Sequence, residues 1–191
     1  LRTEGRPRHG MPATSRRADN RCVTAPAATS ILFDFGDPRA VLGWTPVDDR
    51  VMGGASRSRL RYDPAGHAVF EGEVSLERNG GFASVRSAPG PLGRAGAEAL
   101  VVELRGQAPR HKVNLRVDDN FDGLNYQAAL QPQGPWSVMR IPLSTFRPTF
   151  RGLDVPGAPP IDPARIRQIG LMTAERQAGP FALAIRRIGL A

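Results

Sequence analysis

The chain has a single cysteine, Cys22, so no disulfide can form within it. Past residue 30 there are two histidines, His67 and His111, and no cysteine, which leaves a structural zinc site without enough ligands. Long apolar runs are also missing. Nothing approaches the ~18 residues of a membrane-spanning helix, and the N-terminus lacks the apolar core of a secretory signal. No long stretch carries an apolar stripe at helical spacing. A Gly-x-Ser-x-Gly elbow and a Walker-type phosphate loop are both absent from the sequence. Nucleophilic catalysis, phosphate cradling and zinc chemistry therefore have no motif to rest on.

The chain does hold arginine, glycine and proline in quantity. Of 26 basic residues one is lysine, Lys112, which leaves 25 arginines. With abundant Ala, Gly and Pro, this is the composition of GC-rich codons, and the net charge of +8 is weak grounds for nucleic-acid binding. Residues 1–30 carry six arginines against Glu4 and Asp19, half of that net charge. They contain almost no large apolar side chains and are expected to form a disordered extension. Residues 31–191 are expected to form one domain, long enough to bury its own core without metal or disulfide.

From Ile31 onward, short apolar runs alternate with turn residues at 31–35, 68–76, 82–87, 100–105, 112–117, 126–130, 136–143, 166–173 and 181–190. Phe70, Val74 and Leu76 share one parity, with Glu71, Glu73 and Glu77 on the other. Val113, Leu115 and Val117 alternate in the same way with Lys112, Asn114 and Arg116. Period two places one face in a core and the other in water, so the reading is an all-β sandwich or barrel. The alternation breaks at Arg186-Arg187, where one extra residue would make a β-bulge. Asn79-Gly80 reads as a hairpin turn and Asp122-Gly123 as a strand connection. Pro163 suits the first position of a helical turn at 162–167. Two stretches, 36–60 and 147–163, lack strand texture and read as long ordered loops, where binding surfaces tend to sit.

The most unusual local sequence is Asp48-Asp49-Arg50-Val51-Met52-Gly53-Gly54-Ala55-Ser56. Paired glycines let backbone turn tightly or present its amides. One reading is a recognition loop, with Asp49, Arg50 and Ser56 as polar contacts; the other is a packed turn with Met52 in the core. Asp118, Asn120 and Asp122, followed by Gly123, match the start of a calcium loop, but position twelve is Ala129 where such a loop needs Glu. A strand connection explains that segment better. Phe146, Arg147, Phe150 and Arg151 interleave aromatics with cations, as a single-strand nucleic-acid site would, or as a loop capping the sandwich would.

Trp44, the Asp49-x-Val51-Met52-Gly53-Gly54-x-Ser56 run and Asn79-Gly80-Gly81-Phe82-x-Ser84-x-Arg86 resemble the complex I intermediate-associated protein 30 family. Asp122-Gly123, Trp136, Ile141-Pro142-Leu143 and the run from Phe146 to Gly152 follow in the same order. The resemblance implies a galactose-binding-like jelly-roll β-sandwich. It also implies an assembly factor for respiratory NADH:ubiquinone oxidoreductase, with no catalytic residues and no cofactor.

The expectation is therefore a monomeric, non-catalytic module that binds a protein partner, such as subunits of a respiratory complex, without inserting in a membrane. Its surface is expected at Asp48, Asp49, Arg50, Gly53, Gly54 and Ser56 with Arg86, Arg147 and Arg151. Carbohydrate binding is the alternative if Trp44, Trp136 or Tyr126 is exposed for stacking, and RNA binding is another if arginines line one face. The compartment is expected to be the cytoplasm, or the mitochondrion if residues 1–30 act as a transit peptide.

Overall fold

The computed structural model describes residues 28–107, 110–120, 122–173 and 175–191. The expected extension over residues 1–30 thus falls almost wholly outside the described residues. The strands are β1 (Ser30–Asp34), β2 (Trp44–Pro46), β3 (Arg57–Asp63), β4 (His67–Val74), β5 (Ala83–Ser87), β6 (Ala99–Gly106) and β7 (His111–Arg116). They continue with β8 (Asn125–Leu130), β9 (Gly134–Pro142), β10 (Arg147–Phe150), β11 (Leu153–Asp154), β12 (Gln168–Thr173) and β13 (Gly179–Leu190). Between them lie short 3-10 turns, one of them Pro163–Arg165, begun by Asp162, whose side chain accepts from the Ala164 N–H at 3.0 Å.

The strands form two antiparallel sheets packed face to face. One has six strands, in the order β3-β4-β13-β6-β9 with β1 also on β13; the other has seven, in the order β11-β10-β8-β7-β12-β5-β2. Alternation decides what lies between them. Phe70, Leu100, Leu104 and Leu183 face inward from the first sheet, and Val85, Val113, Leu115 and Leu171 from the second, all at most 1% exposed. Burying each such side chain contributes about 1.5–3 kcal/mol, which makes this layer the main source of stability.

All nine expected strands are present, and so is the bulge: β13 slips register against β6 between Ile185 and Arg187. Asp122-Gly123 does join neighbouring strands, β7 and β8. Two expectations need correction. The stretches 36–60 and 147–163 contain strand residues, namely β2, most of β3, β10 and β11. β3 escaped notice because it is an edge strand whose outward positions are Arg57, Arg59 and Arg61, with Leu60 and Tyr62 the only large apolar residues opposite them. Asn79-Gly80 makes no hairpin either, because β4 and β5 belong to different sheets. Arg78 and Asn79 there take left-handed backbone (φ 50° and 61°) as the chain crosses between sheets.

His111 lies in the core, its ring against Phe70 and Phe181 and its Nδ1 2.8 Å from the Thr173 hydroxyl. Burial lowers its pKa from 6.5 to about 4. Protonation therefore favours the unfolded chain. Stability is full above pH 6.5 and falls as the pH drops towards 4, by at most about 3 kcal/mol. Denaturant unfolding at a series of pH values should show this slope, and His111→Phe should flatten it; an unchanged slope would show that other groups cause it.

Candidate functional site

Two adjacent acids organise one end of the sandwich. The Asp49 carboxylate is 1% exposed and accepts from the Ser56 hydroxyl at 2.6 Å, the Ser56 N–H at 3.0 Å, the Gly81 N–H at 2.8 Å and the Phe82 N–H at 3.3 Å. Burial alone would raise its pKa, but these donors outweigh burial and hold it below the ordinary aspartate value. Glycine is required around it: a Cβ at Gly54 would stand 2.3 Å from Asp49 Oδ1, and one at Gly80 would stand 2.6 Å from Oδ2. Asp48 does similar work beside it, accepting from the Ser58 hydroxyl at 2.6 Å, the Ser58 N–H at 3.0 Å and the Ser84 N–H at 2.9 Å. The structure thus turns Asp48, Asp49 and Ser56 inward and saturates them with donors of this same chain. Arg50, Met52 at 69% exposure and Gly53 face solvent on the outer side of this turn.

The oxygen-rich β7–β8 connection is filled from within as well. Arg116, 2% exposed, sends its guanidinium among the Asn120 and Gly123 carbonyls, Asn125 Oδ1 at 3.3 Å and Asp118 Oδ1 at 3.4 Å. Asp122 is paired with Arg151. A guanidinium thus sits among these oxygens, and among the described residues Asp118 and Asp122 belong to no cluster of three acidic, His or Cys side chains that could hold an ion.

The outer face of the seven-stranded sheet carries a row of polar residues. One register row crosses six strands: Thr45, Arg86, Gly170, Asn114, Gln127 and Arg147. Lys112 belongs to the next row, opposite Ala129 and Met172. A groove of about 480 Å³ opens over β8 and β10, lined in part by Lys112, Gln127, Thr145, Arg147, Thr149 and Asp154. Arg147 has no hydrogen bond or ion pair among the described residues, and the Gln127 amide reaches only the Met172 sulfur, at 3.9 Å. Arg86 is half-buried. Burial, and after it the nearby Arg116 charge, lower its pKa. The row thus runs from Thr45 through Arg86, Asn114 and Gln127 to Arg147, and the Asn114 Oδ1 in it is buried.

Of the expected site residues, Arg86 and Arg147 come together on this face. Arg151 is committed to Asp122 and stacks on Phe150, with its charge 5.2 Å from the ring centre. Phe146 is buried. Asn114, Gln127 and Lys112 were missed; their signal was the outward parity of strands read only for their apolar side. Trp44 and Tyr126 are buried in the core. Trp136 lies on β9 of the other sheet, beneath Arg186 at 4.1 Å and Arg105 at 5.0 Å.

Comparison with known proteins identifies the class of fold first. The galactose-binding-like jelly roll is similar to the family 11 carbohydrate-binding module of cellulosomal cellulase Lic26A-Cel5E of Clostridium thermocellum, with TM-score 0.64 and 17% identity over 87% of this chain and 95% of that one. The same module in complex with a beta-1,3-1,4-mixed-linked tetrasaccharide gives TM-score 0.64 at 16% identity, over 87% of this chain and 96% of that one. At this identity the likeness shows the fold alone. Residues 33–185 match the complex I intermediate-associated protein 30 family, and the chain belongs to it. It is 27% identical to the mitochondrial complex I intermediate-associated protein 30 of Drosophila melanogaster over 91% of this chain, spanning 66% of that protein's length. An uncharacterised protein of Schizosaccharomyces pombe is 29% identical over 74% of each chain.

Asp49→Ala leaves a buried hydroxyl and buried N–H groups without an acceptor, and should cost about 3 kcal/mol or more in urea unfolding. Met52→Ala and Arg50→Ala, at exposed positions, should each change stability by less than about 0.5 kcal/mol. A tolerated Asp49→Ala would mean that the inward carboxylate does not hold the loops.

Proposed function

We propose that this chain is a non-catalytic protein-binding module that assists the assembly of a membrane enzyme complex of the respiratory NADH:ubiquinone oxidoreductase type. Family membership across residues 33–185, with a Drosophila relative named for its association with complex I intermediates, is the observation that carries this reading. The chemistry agrees with it. His67 and His111 are both buried, far from the role of an accessible base. Among the described residues no helix is long and apolar enough to cross a membrane.

Carbohydrate binding draws support from the fold neighbours but lacks its chemistry here. Sugar rings stack on exposed aromatic faces, and Trp44 and Tyr126 are buried while Trp136 is covered by arginines on the opposite sheet. RNA binding keeps Arg147 and the exposed Phe150 of the loop that suggested it, but Phe146 is buried and Arg151 is paired with Asp122.

Disruption of the gene in its own host should lower the amount of fully assembled NADH:ubiquinone oxidoreductase on native gels and leave subcomplexes behind. Re-expression of the chain should restore it. Normal assembly in the disrupted strain would end this reading.

A further inference from the structure

The outermost strands of an open sheet have backbone groups to spare, and such an edge is a template for another strand. Most edges of this sandwich are closed off. β2 and β11 are three and two residues long. β1, which runs along β13 where β4 leaves it, is broken by a bulge between Ile31 and Phe33. β3 gives its Ser58 N–H to Asp48, lies against the 3-10 turn Pro38–Val41, and sets Arg57, Arg59 and Arg61 outward in a row of one charge. β9 differs. It runs for nine residues, and among the described residues β6 is its only ladder neighbour.

Hydrogen bonds at one end of β9 fix which of its groups are spare. The Leu143 N–H donates to the Glu98 carbonyl at 2.8 Å, and on the β13 side of β6 Ala99 and Ala191 exchange bonds of 2.9 and 3.0 Å. Bonded and non-bonded pairs alternate along an antiparallel ladder. Ile141 and Met139 therefore bond to Leu100 and Val102, and the N–H and C=O groups of Arg140 and Val138 point away from β6. Pro142 has the same phase, and proline is tolerated there because no ladder calls on its missing N–H. Met139 and Ile141 pack on the core, so Trp136, Val138 and Arg140 stand on the outer face of the sheet. Val138 is 67% exposed.

The side chains around this edge define what can pair with it. Opposite Val138 on β6 stands Glu103, held by Arg186 at 2.6 Å and Arg187 at 3.7 Å. To either side the charge is positive. Among the described residues Arg140 makes no ion pair, and neither does Arg105, whose charge lies over the Trp136 ring at 5.0 Å. A second copy of β9, paired antiparallel about Val138, would bring Arg140 against a Trp136 that already carries Arg105 and Arg186. Like charge thus opposes self-pairing. A strand with an apolar residue opposite Val138 and carboxylates two positions to either side complements Arg140, Val138 and Arg105 at once, and keeps its acids away from Glu103.

We infer that the free edge of β9 is the docking edge for an extended segment of the protein partner, which adds a seventh strand to the six-stranded sheet and presents acid, apolar and acid side chains at alternate outward positions. The inference rests on the reading that the partner is a protein, and deepens it by naming the edge, the backbone pairing and the side-chain pattern.

The test titrates the full isotope-labelled chain with a peptide centred on Glu-Thr-Val-Thr-Glu. Amide signals of residues 136–141 should shift. Solvent exchange of the Val138 and Arg140 N–H groups should slow about tenfold when the peptide is at about ten times its Kd. N-methylation of the peptide's valine removes a ladder donor and should abolish binding, whereas N-methylation of a threonine, whose N–H faces away, should leave it intact. Arg140→Glu, at an exposed position, should raise Kd by about tenfold or more and admit a peptide with lysines in place of the glutamates. Val138→Pro takes no bond from the β6 ladder and should leave a folded chain that binds neither peptide. Equal binding of the valine-methylated peptide, shifts confined to other surfaces, or self-association of the chain that slows Val138 exchange as its own concentration rises would each overturn the inference. A host strain carrying Arg140→Glu separates the two claims. If that strain assembles its complex normally while the disrupted strain does not, the edge is not the docking site and the assembly role stands. If disruption itself has no effect, the assembly role fails, and the peptide titration still decides whether the edge takes an acidic strand.

Discussion

The buried carboxylate of Asp49 is the constraint on which one end of the sandwich depends. It receives donors from the turn that follows it and from the crossover joining β4 to β5, segments that share no sheet ladder. The Ser56 hydroxyl, while donating to Asp49, accepts from the Ser75 N–H at 3.0 Å, which extends the linkage to the end of β4. Asp48 ties β3 to β5 through Ser58 and Ser84. Two neighbouring acids therefore tie the two sheets together at this end. Arg176 adds a guanidinium on the Gly80 carbonyl at 3.2 Å, so a further loop is drawn into the same junction.

Because these acids are consumed internally, they cannot balance the arginines elsewhere. The chain has 18 acidic residues against 26 basic ones, and where the acids go decides where positive potential remains. Glu71 and Glu103 go to the arginines on the outer face of the six-stranded sheet. Asp118, Asp119 and Asp122 go to Arg116, Arg167 and Arg151 around the β7–β8 connection. Arg147, on the outer face of the seven-stranded sheet, has no acid partner among the described residues. The same distribution explains why a loop patterned like a cation site holds an arginine.

The strands were legible wherever one parity was apolar, because burial on one face imposes that alternation. They were illegible where outward charges dominate, as with Arg57, Arg59 and Arg61 of the edge strand β3. The Asp48–Asp49 pair was recognisable as special, but its direction was not: in a turn no periodicity says which side chains face in, and Asp49 is buried only because Gly54 and Gly80 let two backbones close on it. The row on the seven-stranded sheet was hidden for a different reason. Each of its members sits at an ordinary outward position, and only the strand order brings them into line. That order pairs β5 with β12 and β12 with β7, segments far apart in the chain, through long-range contacts that local sequence does not encode.

A shared fold with different side chains on its face is expected to select a different ligand. Neutral sugars are held by aromatic planes and uncharged hydrogen bonds. Trp44 and Tyr126 are buried in the core and Trp136 is covered by Arg186 and Arg105, so the plane that such a ligand needs is not formed by these side chains. The two sheets carry the fold, and what the sandwich can recognise is decided by the outward side chains that the fold leaves to vary.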